Sequence, residues 1–454
     1  MNHFDVIVVG AGPAGLSAAA AASEAGRSVL LLDAADRPGG QFWRHRLGSP
    51  PAALQRLLKR LRRVNYRPGS PVWWVEPGFG VYTPAASFTG DRLVLATGAY
   101  DRVIPFPGWD LPGVVTAGGA QALLKGQGVA VGRRVVVAGA GPFLLPVAVG
   151  LARAGVAVLG VFEAGRPHRY LRHTSAVPKG FEALGYGVSL LRHRIPYHTG
   201  KVVTAAHGTD RLEAVTVAGR TIECDALAVG YGFTPQIELA VALGCETTLD
   251  SDGSLVVSRS VPDLFVAGEI TGVGGAVLAV VEGTLAGLAA ADRPAPNRLL
   301  RKQESLRRFA SAMTAIHPVP QLDFPDDVVV CRCEGVTAGA IRAAVAESGA
   351  IDTRGVKLMA RPGMGWCQGR VCGFATARLT ADSLRRDVTA ADLATYAHRP
   401  IAQPVTLGEM SRTELPPAEL PSAAVPSAEV SPAEVPREEM PRPPAATEGH
   451  DRAV

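Results

Sequence analysis

The opening stretch of this chain leaves it little freedom of fold. Phe4 to Val9 is an unbroken apolar run, the pattern of a strand buried on both faces. Gly10-Ala-Gly12-Pro-Ala14-Gly15 follows, then an alanine-rich, helix-forming run to Gly26, then a second apolar strand from Ser28 to Leu32 that ends at Asp33. This is a βαβ unit with its parts in order. The first glycine permits the tight turn, the second lets backbone approach a pyrophosphate, and the third lets helix and strand pack closely. An acid about 20 positions on, here Asp33, can take ribose hydroxyls. Strand, glycines, helix, strand and acid all agree, so a dinucleotide-binding α/β domain is expected. No basic segment precedes the strand, so the N-terminus reads as mature sequence and not as a signal peptide.

A second unit of the same design starts at Arg134. Arg134-Val-Val-Val-Ala138 reads as a strand, Gly139-Ala-Gly141-Pro-Phe-Leu144 as a fingerprint without its third glycine, and Glu163 closes the next strand. Leu144 prevents the closest helix–strand approach, so the fold is expected to persist while the nucleotide geometry changes. Gly139, Gly141 and Glu163 leave three readings open: a working NAD(H) site, a site for another adenine nucleotide, or a domain kept for packing. The charge-free run from Val135 to Ala152 is long enough to raise the question of a membrane span. Gly139, Gly141, Pro142 and Pro146 break it into strand, turn and helix, and no transmembrane segment is expected.

Chemistry is announced near the far end. Cys331 and Cys333 form a C-x-C pair, and Cys367 and Cys372 a C-x4-C pair. Thiolates held as two close pairs on turns can converge on one metal centre, and such four-cysteine sets bind zinc or a 2Fe-2S cluster. Zinc knuckles usually show C-x2-C, which neither pair has. A 2Fe-2S centre with four thiolates is formally anionic and favours nearby cations and backbone donors. Arg332 lies between the first two cysteines, Arg370 between the last two, and Gly363, Gly365 and Gly369 offer amides. Six cysteines in 454 residues do not make a disulfide scaffold, and a reducing, cytoplasmic setting follows.

Cys331-Arg-Cys-Glu-Gly-Val-Thr, with the later Gly363-Met-Gly-Trp-Cys-Gln-Gly-Arg-Val-Cys372, resembles the 2Fe-2S domain of bacterioferritin-associated ferredoxin. It is most similar to the version fused to the flavoprotein alpha subunits of opine (octopine/nopaline) oxidases, D-hydroxyproline dehydrogenase and hydrogen cyanide synthase. Gly39-Gly40-Gln41, Leu93-Val-Leu-Ala-Thr97-Gly98 and Asp263-Leu-Phe-Val-Ala-Gly268-Glu269 resemble the flavin-binding segments of proteins with two dinucleotide domains. The resemblance implies an α/β fold with two Rossmann-like domains of the pyridine nucleotide-disulfide oxidoreductase type, a small helical 2Fe-2S domain and a disordered C-terminal tail. It implies FAD held by Gly10, Gly12, Ala14, Gly15, Asp33, Gly40, Gln41, Thr97, Gly98, Gly268 and Glu269, the last meeting the ribityl chain. Gly274-Gly275-Ala276 would open a helix whose amides point at the flavin. Cys331, Cys333, Cys367 and Cys372 would hold the cluster. The FAD domain is then discontinuous, 1–112 and 258–300, around a second dinucleotide domain, 113–257. A linker, 301–324, leads to the cluster domain and its extension, 325–405; the proline-rich 406–454 is the tail.

Several function classes drop out. A net charge of +5 without a Lys/Arg block argues against a nucleic-acid partner. No C-x-x-C pair supports disulfide reduction, and Cys224 and Cys245 read as buried thiols. The histidines show no metal spacing, His168 and His173 sitting in an arginine-rich loop. Trp43, Trp73 and Trp74 are given no catalytic role. Chemistry is therefore left to the flavin. The resemblance implies a subunit passing electrons from oxidation of an amino acid, opine or other secondary amine to an acceptor. The amine would be oxidised on a beta flavoprotein subunit; a further partner would be a small ferredoxin-like subunit. The alternatives are a self-contained NAD(P)H-dependent oxidoreductase, for which Glu163 suits NAD better than NADP, and a sensing protein with structural FAD.

Overall fold

The fingerprint folds as its pattern dictates. In the computed structural model, which describes residues 2–166, 180–320, 324–399 and 401–411, β1 (Asn2–Val9) and β2 (Val29–Leu32) run parallel, Val6 opposite Val29 and Val9 opposite Leu32. Between them α1 (Pro13–Glu24) opens on a proline, whose missing N–H is of no consequence in a first turn. α2 (Ala52–Leu58) precedes β3 (Asn65–Arg67), which extends the sheet beyond β2. β4 (Trp74–Glu76) and β5 (Gly80–Tyr82) form a hairpin joined antiparallel to the first half of β6 (Ser87–Leu95), which itself runs parallel to β1. Trp73 is buried and Trp74 stacks on it with ring centroids 6.1 Å apart, so these aromatics are packing residues.

β7 (Ala99–Asp101) leads out of this sheet to β8 (Val114–Thr116) and α3 (Ala117–Gln127). The second unit follows as β9 (Arg134–Gly139), α4 (Leu144–Arg153), β10 (Ala157–Glu163), α5 (Gly180–Arg192) and β11 (Tyr197–Thr199). A three-stranded antiparallel flap, β12 (Val203–His207), β13 (Ala214–Val217) and β14 (Arg220–Glu223), precedes β15 (Ala226–Gly230). The second sheet has the order β11-β10-β9-β15-β8, all parallel. β16 (Phe233–Pro235) then returns antiparallel to β7.

After α6 (Glu238–Ala242) and the hairpin β17 (Glu246–Leu249) and β18 (Leu255–Arg259), β19 (Leu264–Val266) joins the second half of β6 in parallel. Two distant chain segments thus build the first sheet, β3-β2-β1-β6-β5-β4 with β19 on β6. α7 (Ala276–Ala289) lies directly on α1: a Cβ added at Gly283 would sit 2.0 Å from the Ala14 carbonyl oxygen, and one at Gly287 2.2 Å from that of Ala18. Much of the stretch expected as a linker is helix, α8 (Asn297–Ile316).

The cysteine region comprises β20 (Val329–Cys331), β21 (Val336–Thr337), α9 (Ala338–Ala346), α10 (Thr353–Ala360), α11 (Gly373–Ser383) and α12 (Ala390–Ala397). Its apolar side chains, Val330, Ile341 and Leu379 among them, share one core with Phe106, Val136 and Leu227 of the second domain. α13 (Leu407–Met410) is a capped helical turn; the rest of the expected tail, and the loop with His168 and His173, lie outside the described residues. Among the described residues no helix is long and apolar enough to cross a membrane, and the Val135–Ala152 run is β9, a turn and most of α4.

Candidate functional site

At the first fingerprint the glycines divide into two kinds. A Cβ at Gly10 would lie 2.3 Å from the Ala96 carbonyl oxygen and one at Gly15 1.7 Å from that of Gly10, so the fold itself needs both. Gly12 is different. Its φ of −77° suits any residue, and a Cβ there would meet only the Gly40 Cα, at 4.0 Å. What a side chain at Gly12 would fill is the space over the start of α1, the cradle that a pyrophosphate requires. Ala14 is buried under Gly268, Gly40 closes on Gly12, and Gln41 is exposed at the rim.

Asp33 stands at the end of β2, half-buried, accepting the N–H groups of Ala11 and Ala35, the latter at 2.6 Å. Burial raises its carboxyl above the ordinary range. On the far side, the Thr97 hydroxyl donates to the Gln236 carbonyl at 2.6 Å, and Gln236 donates to the Gly98 carbonyl at 2.9 Å, so the turn is locked to the β7–β16 crossing. Glu269 Oε1 accepts the Gly275 N–H at 2.9 Å, while its buried Oε2 has no partner. That orphaned oxygen, the open Asp33 and the Gly12 cradle fit a dinucleotide rich in hydroxyls.

Burial, opposed by the Gly275 and Gly274 amides, pushes the Glu269 carboxyl up from 4.5 to about 7. A raised acid contributes stability that is complete below its unfolded pKa and is lost as pH rises through the folded one. Flavin-free protein should therefore lose on the order of 3 kcal/mol between pH 4.5 and 8, at about 1.4 kcal/mol per tenfold change in proton affinity. Thermal unfolding of Glu269→Gln should lack this component; an identical pH profile in both proteins refutes the assignment.

The second crevice repeats the plan with its acid closed off. Gly139 is required because a Cβ there would strike the Gly230 carbonyl oxygen at 1.8 Å, whereas one at Gly141 would meet nothing. Leu144 is buried at the start of α4, and Gly230 on the facing strand is tight not against it but against α3, where a Cβ would lie 3.0 Å from that of Ala117. Glu163 accepts the N–H groups of Gly141 at 3.0 Å and Gly165 at 2.8 Å, the same station as Asp33. Unlike Asp33 it is only 2% exposed: His317, at the end of α8, lies over it with Nδ1 3.3 Å from Oε1.

The four thiols meet two by two. Cys333 and Cys367 lie 3.9 Å apart, sulfur to sulfur, toward the surface; Cys331 and Cys372 are buried, each the largest influence on the other's thiol. The Cys372 thiol, with the amides of Gly363, Glu334 and Cys333, holds the Cys331 thiol below its ordinary range, while Cys331 pushes that of Cys372 up. Among the described residues no three His, Cys, Asp or Glu side chains close on one point that could hold a single ion. Pairs suit a binuclear centre better than tetrahedral zinc.

Two neighbours act otherwise than their positions suggest. Of the glycines expected to offer amides, Gly363 does donate to Cys331 Sγ, at 3.5 Å. Gly363 and Gly369 are needed chiefly because Cβ atoms there would lie 2.4 and 2.3 Å from the Tyr396 ring, and Gly365 because one would lie 2.1 Å from the Cys333 Cβ. The arginines reach away from the thiols. Arg332 stacks over Trp109 at 4.0 Å, whose indole N–H donates to the Val329 carbonyl at 2.5 Å. Arg370 donates through Nε to the Tyr100 hydroxyl at 2.8 Å and pairs with Glu238 at 3.0 Å. Tyr100, Trp109, Glu238 and His317 carry no motif that marks them in the sequence. Leu358, Met359, Met364 and Trp366 stand out in solvent, Trp366 at 68% exposure, and the last two flank Gly365, which packs against the exposed Cys333. Cys224 and Cys245 are buried, their thiols pushed up chiefly by burial, as expected of inert cysteines.

Residues 4–291 match the family model for the pyridine nucleotide-disulphide oxidoreductases, and residues 329–381 that for the BFD-like 2Fe-2S binding domain. The chain is 34% identical over 459 residues to an opine oxidase subunit of Rhizobium meliloti, spanning 90% of this chain and 99% of that one. It is 34% identical over 439 residues to the hydrogen cyanide synthase subunit HcnB of Pseudomonas aeruginosa, spanning 84% and 94%. In fold it is similar to L-proline dehydrogenase from P. horikoshii, with a TM-score of 0.66 at 21% identity, over 90% of this chain and 79% of that one. The chain therefore belongs to the pyridine nucleotide-disulphide oxidoreductases, among those that carry a BFD-like 2Fe-2S domain, and is an oxidoreductase whose cofactors are FAD and a 2Fe-2S cluster.

Proposed function

We propose that this protein is the electron-transfer subunit of a hetero-oligomeric dehydrogenase or oxidase acting on the C–N bond of an amino acid, opine or other secondary amine. Its relatives are named as subunits of opine oxidase and hydrogen cyanide synthase, which supports both the partner and the substrate class. When bound, FAD supplies a two-electron acceptor and the cluster a one-electron carrier. Gly10, Gly12, Gly15, Gly40 and Asp33 would seat the dinucleotide, Thr97 and Gly98 would hold its far end against the crossing strands, and Glu269 Oε2 would take a hydroxyl. Cys331 with Cys372, and Cys333 with Cys367, would each supply one metal's thiolates. Residues 1–112 with 258–300 would form the FAD domain, and four thiolate ligands need a reducing compartment such as the cytoplasm.

The observation that carries this reading is the cover over Glu163. In a working NAD(H) site the acid at that station takes ribose hydroxyls; here His317 faces it and both side chains are buried. Electrons then have to enter from elsewhere. The edge at the exposed Cys333 and the partly exposed Cys367, with Met364 and Trp366 in solvent on either side of Gly365, suits docking of a protein partner. Anaerobic NADH added to the purified protein should leave the flavin's visible absorbance unchanged over minutes, while an amine substrate with the partner flavoprotein should bleach it. Rapid bleaching by NADH alone would establish the self-contained reductase instead.

A further inference from the structure

Arg370 is separated from Cys372 by a single residue, and its guanidinium bridges from the cysteine loop into a buried seam. Nε donates to the Tyr100 hydroxyl at 2.8 Å and lies 3.0 Å from Glu238 Oε1, and Nη1 donates to the Cys367 carbonyl at 3.2 Å. The Tyr100 hydroxyl donates in turn to Glu238 Oε1 at 3.2 Å, which closes a triangle. Nη2 donates to the Ala402 carbonyl, and Ala402 donates to the Trp73 carbonyl at 2.8 Å. The Arg370 and Glu238 side chains are 10% and 8% exposed.

The two ends of this triangle matter. Tyr100 sits on β7, two residues beyond the Thr97–Gly98 turn, and Arg370 sits between two of the four cysteines. The hydrogen bond Arg370–Tyr100 therefore connects the loop of the thiols to the strand leaving the flavin crevice. A buried ion pair is a poor source of stability, since hydrophobic residues of similar volume serve as well or better. Its distinctive property is a fixed charge arrangement in a region where screening by water is weak. On the reading that the four cysteines hold the cluster, this charge arrangement is tied through the Cys367 carbonyl to the loop of a centre that gains negative charge on reduction.

We propose that Arg370, ion-paired to Glu238 and hydrogen-bonded to Tyr100, is a positioning residue that seats the cluster loop on the flavin-side crossing strand and tunes the cluster's reduction potential. The cation favours the reduced cluster and the anion opposes it. Removing each should move the potential in opposite directions, an outcome that mere loosening of the seam does not produce.

The test is a redox titration of the full-length holoprotein, following the reduced cluster by electron paramagnetic resonance. Arg370→Gln should make reduction about threefold to tenfold less favourable and Glu238→Gln more favourable by a similar factor, tenfold being about 59 mV for a one-electron couple. The double variant should return toward the wild type. Arg370→Lys, which keeps the charge, should stay near the wild type and carries the test with Glu238→Gln if Arg370→Gln does not fold. Shifts of the same sign, or none, in proteins with full iron content overturn this proposal alone. Wild-type protein without iron overturns the cysteine assignment and this proposal with it.

Discussion

Cys367→Ser protein is expected to purify with its FAD and without most of its iron. The wild type should hold about two irons and two labile sulfides per chain, as one 2Fe-2S centre requires. A serine hydroxyl at position 367 is a poor thiolate substitute, and it leaves Cys333 without the sulfur now 3.9 Å away. The flavin crevice should not feel the change. Gly10, Gly12, Asp33 and Glu269 lie around the first sheet, and none is bonded to the cysteine loops. Iron and sulfide assays beside the flavin spectrum read both at once. Joint loss of the two cofactors, or zinc in place of iron after anaerobic purification, would contradict the assignment.

The second large effect is expected at a residue with no chemistry of its own. A methyl group at Gly283 would be placed 2.0 Å from the Ala14 carbonyl oxygen and 2.8 Å from the Ala14 Cα, both backbone atoms that cannot swing away. Gly283→Ala must therefore push α7 off α1, with a loss of roughly 3 kcal/mol or more. FAD should be lost with it, because the displaced partner is the first turn of the fingerprint helix. Gly185→Ala is the matched control. It also lies within a helix, α5, but its Cβ would meet nothing, so the change should stabilise by about 0.5–1 kcal/mol through helix propensity. Thermal unfolding and flavin content of the two variants decide the matter; equal behaviour would refute the packing argument.

Some of the site was legible because its rules are local. The strand, glycines and acid of the first fingerprint are close in the chain, so one turn geometry dictates them all. The paired cysteines are legible for the same reason. Arg332 and Arg370 were not: adjacency to the thiols suggested cations facing the cluster, but their directions are set by Trp109, Tyr100 and Glu238, more than a hundred positions away in each case. Gly363 and Gly369 read as amide donors, but their positive φ and the Tyr396 ring explain them better. Glu163 reads as the acid of a second fingerprint, and the structure shows it accepting the Gly141 and Gly165 amides. That it is covered depends on His317, brought to it by a helix starting at Asn297.

The chain's own order of residues thus determined two Rossmann-like units and two close cysteine pairs, because short-range periodicity and spacing follow from backbone geometry. Only the tertiary structure decided that Asp33 stays partly exposed while His317 covers Glu163, and that Arg332 turns to Trp109 and Arg370 to Tyr100 and Glu238. Those outcomes depend on which long-range surfaces meet, and side-chain direction at such a meeting is set by the partner that supplies the counter-charge or the ring.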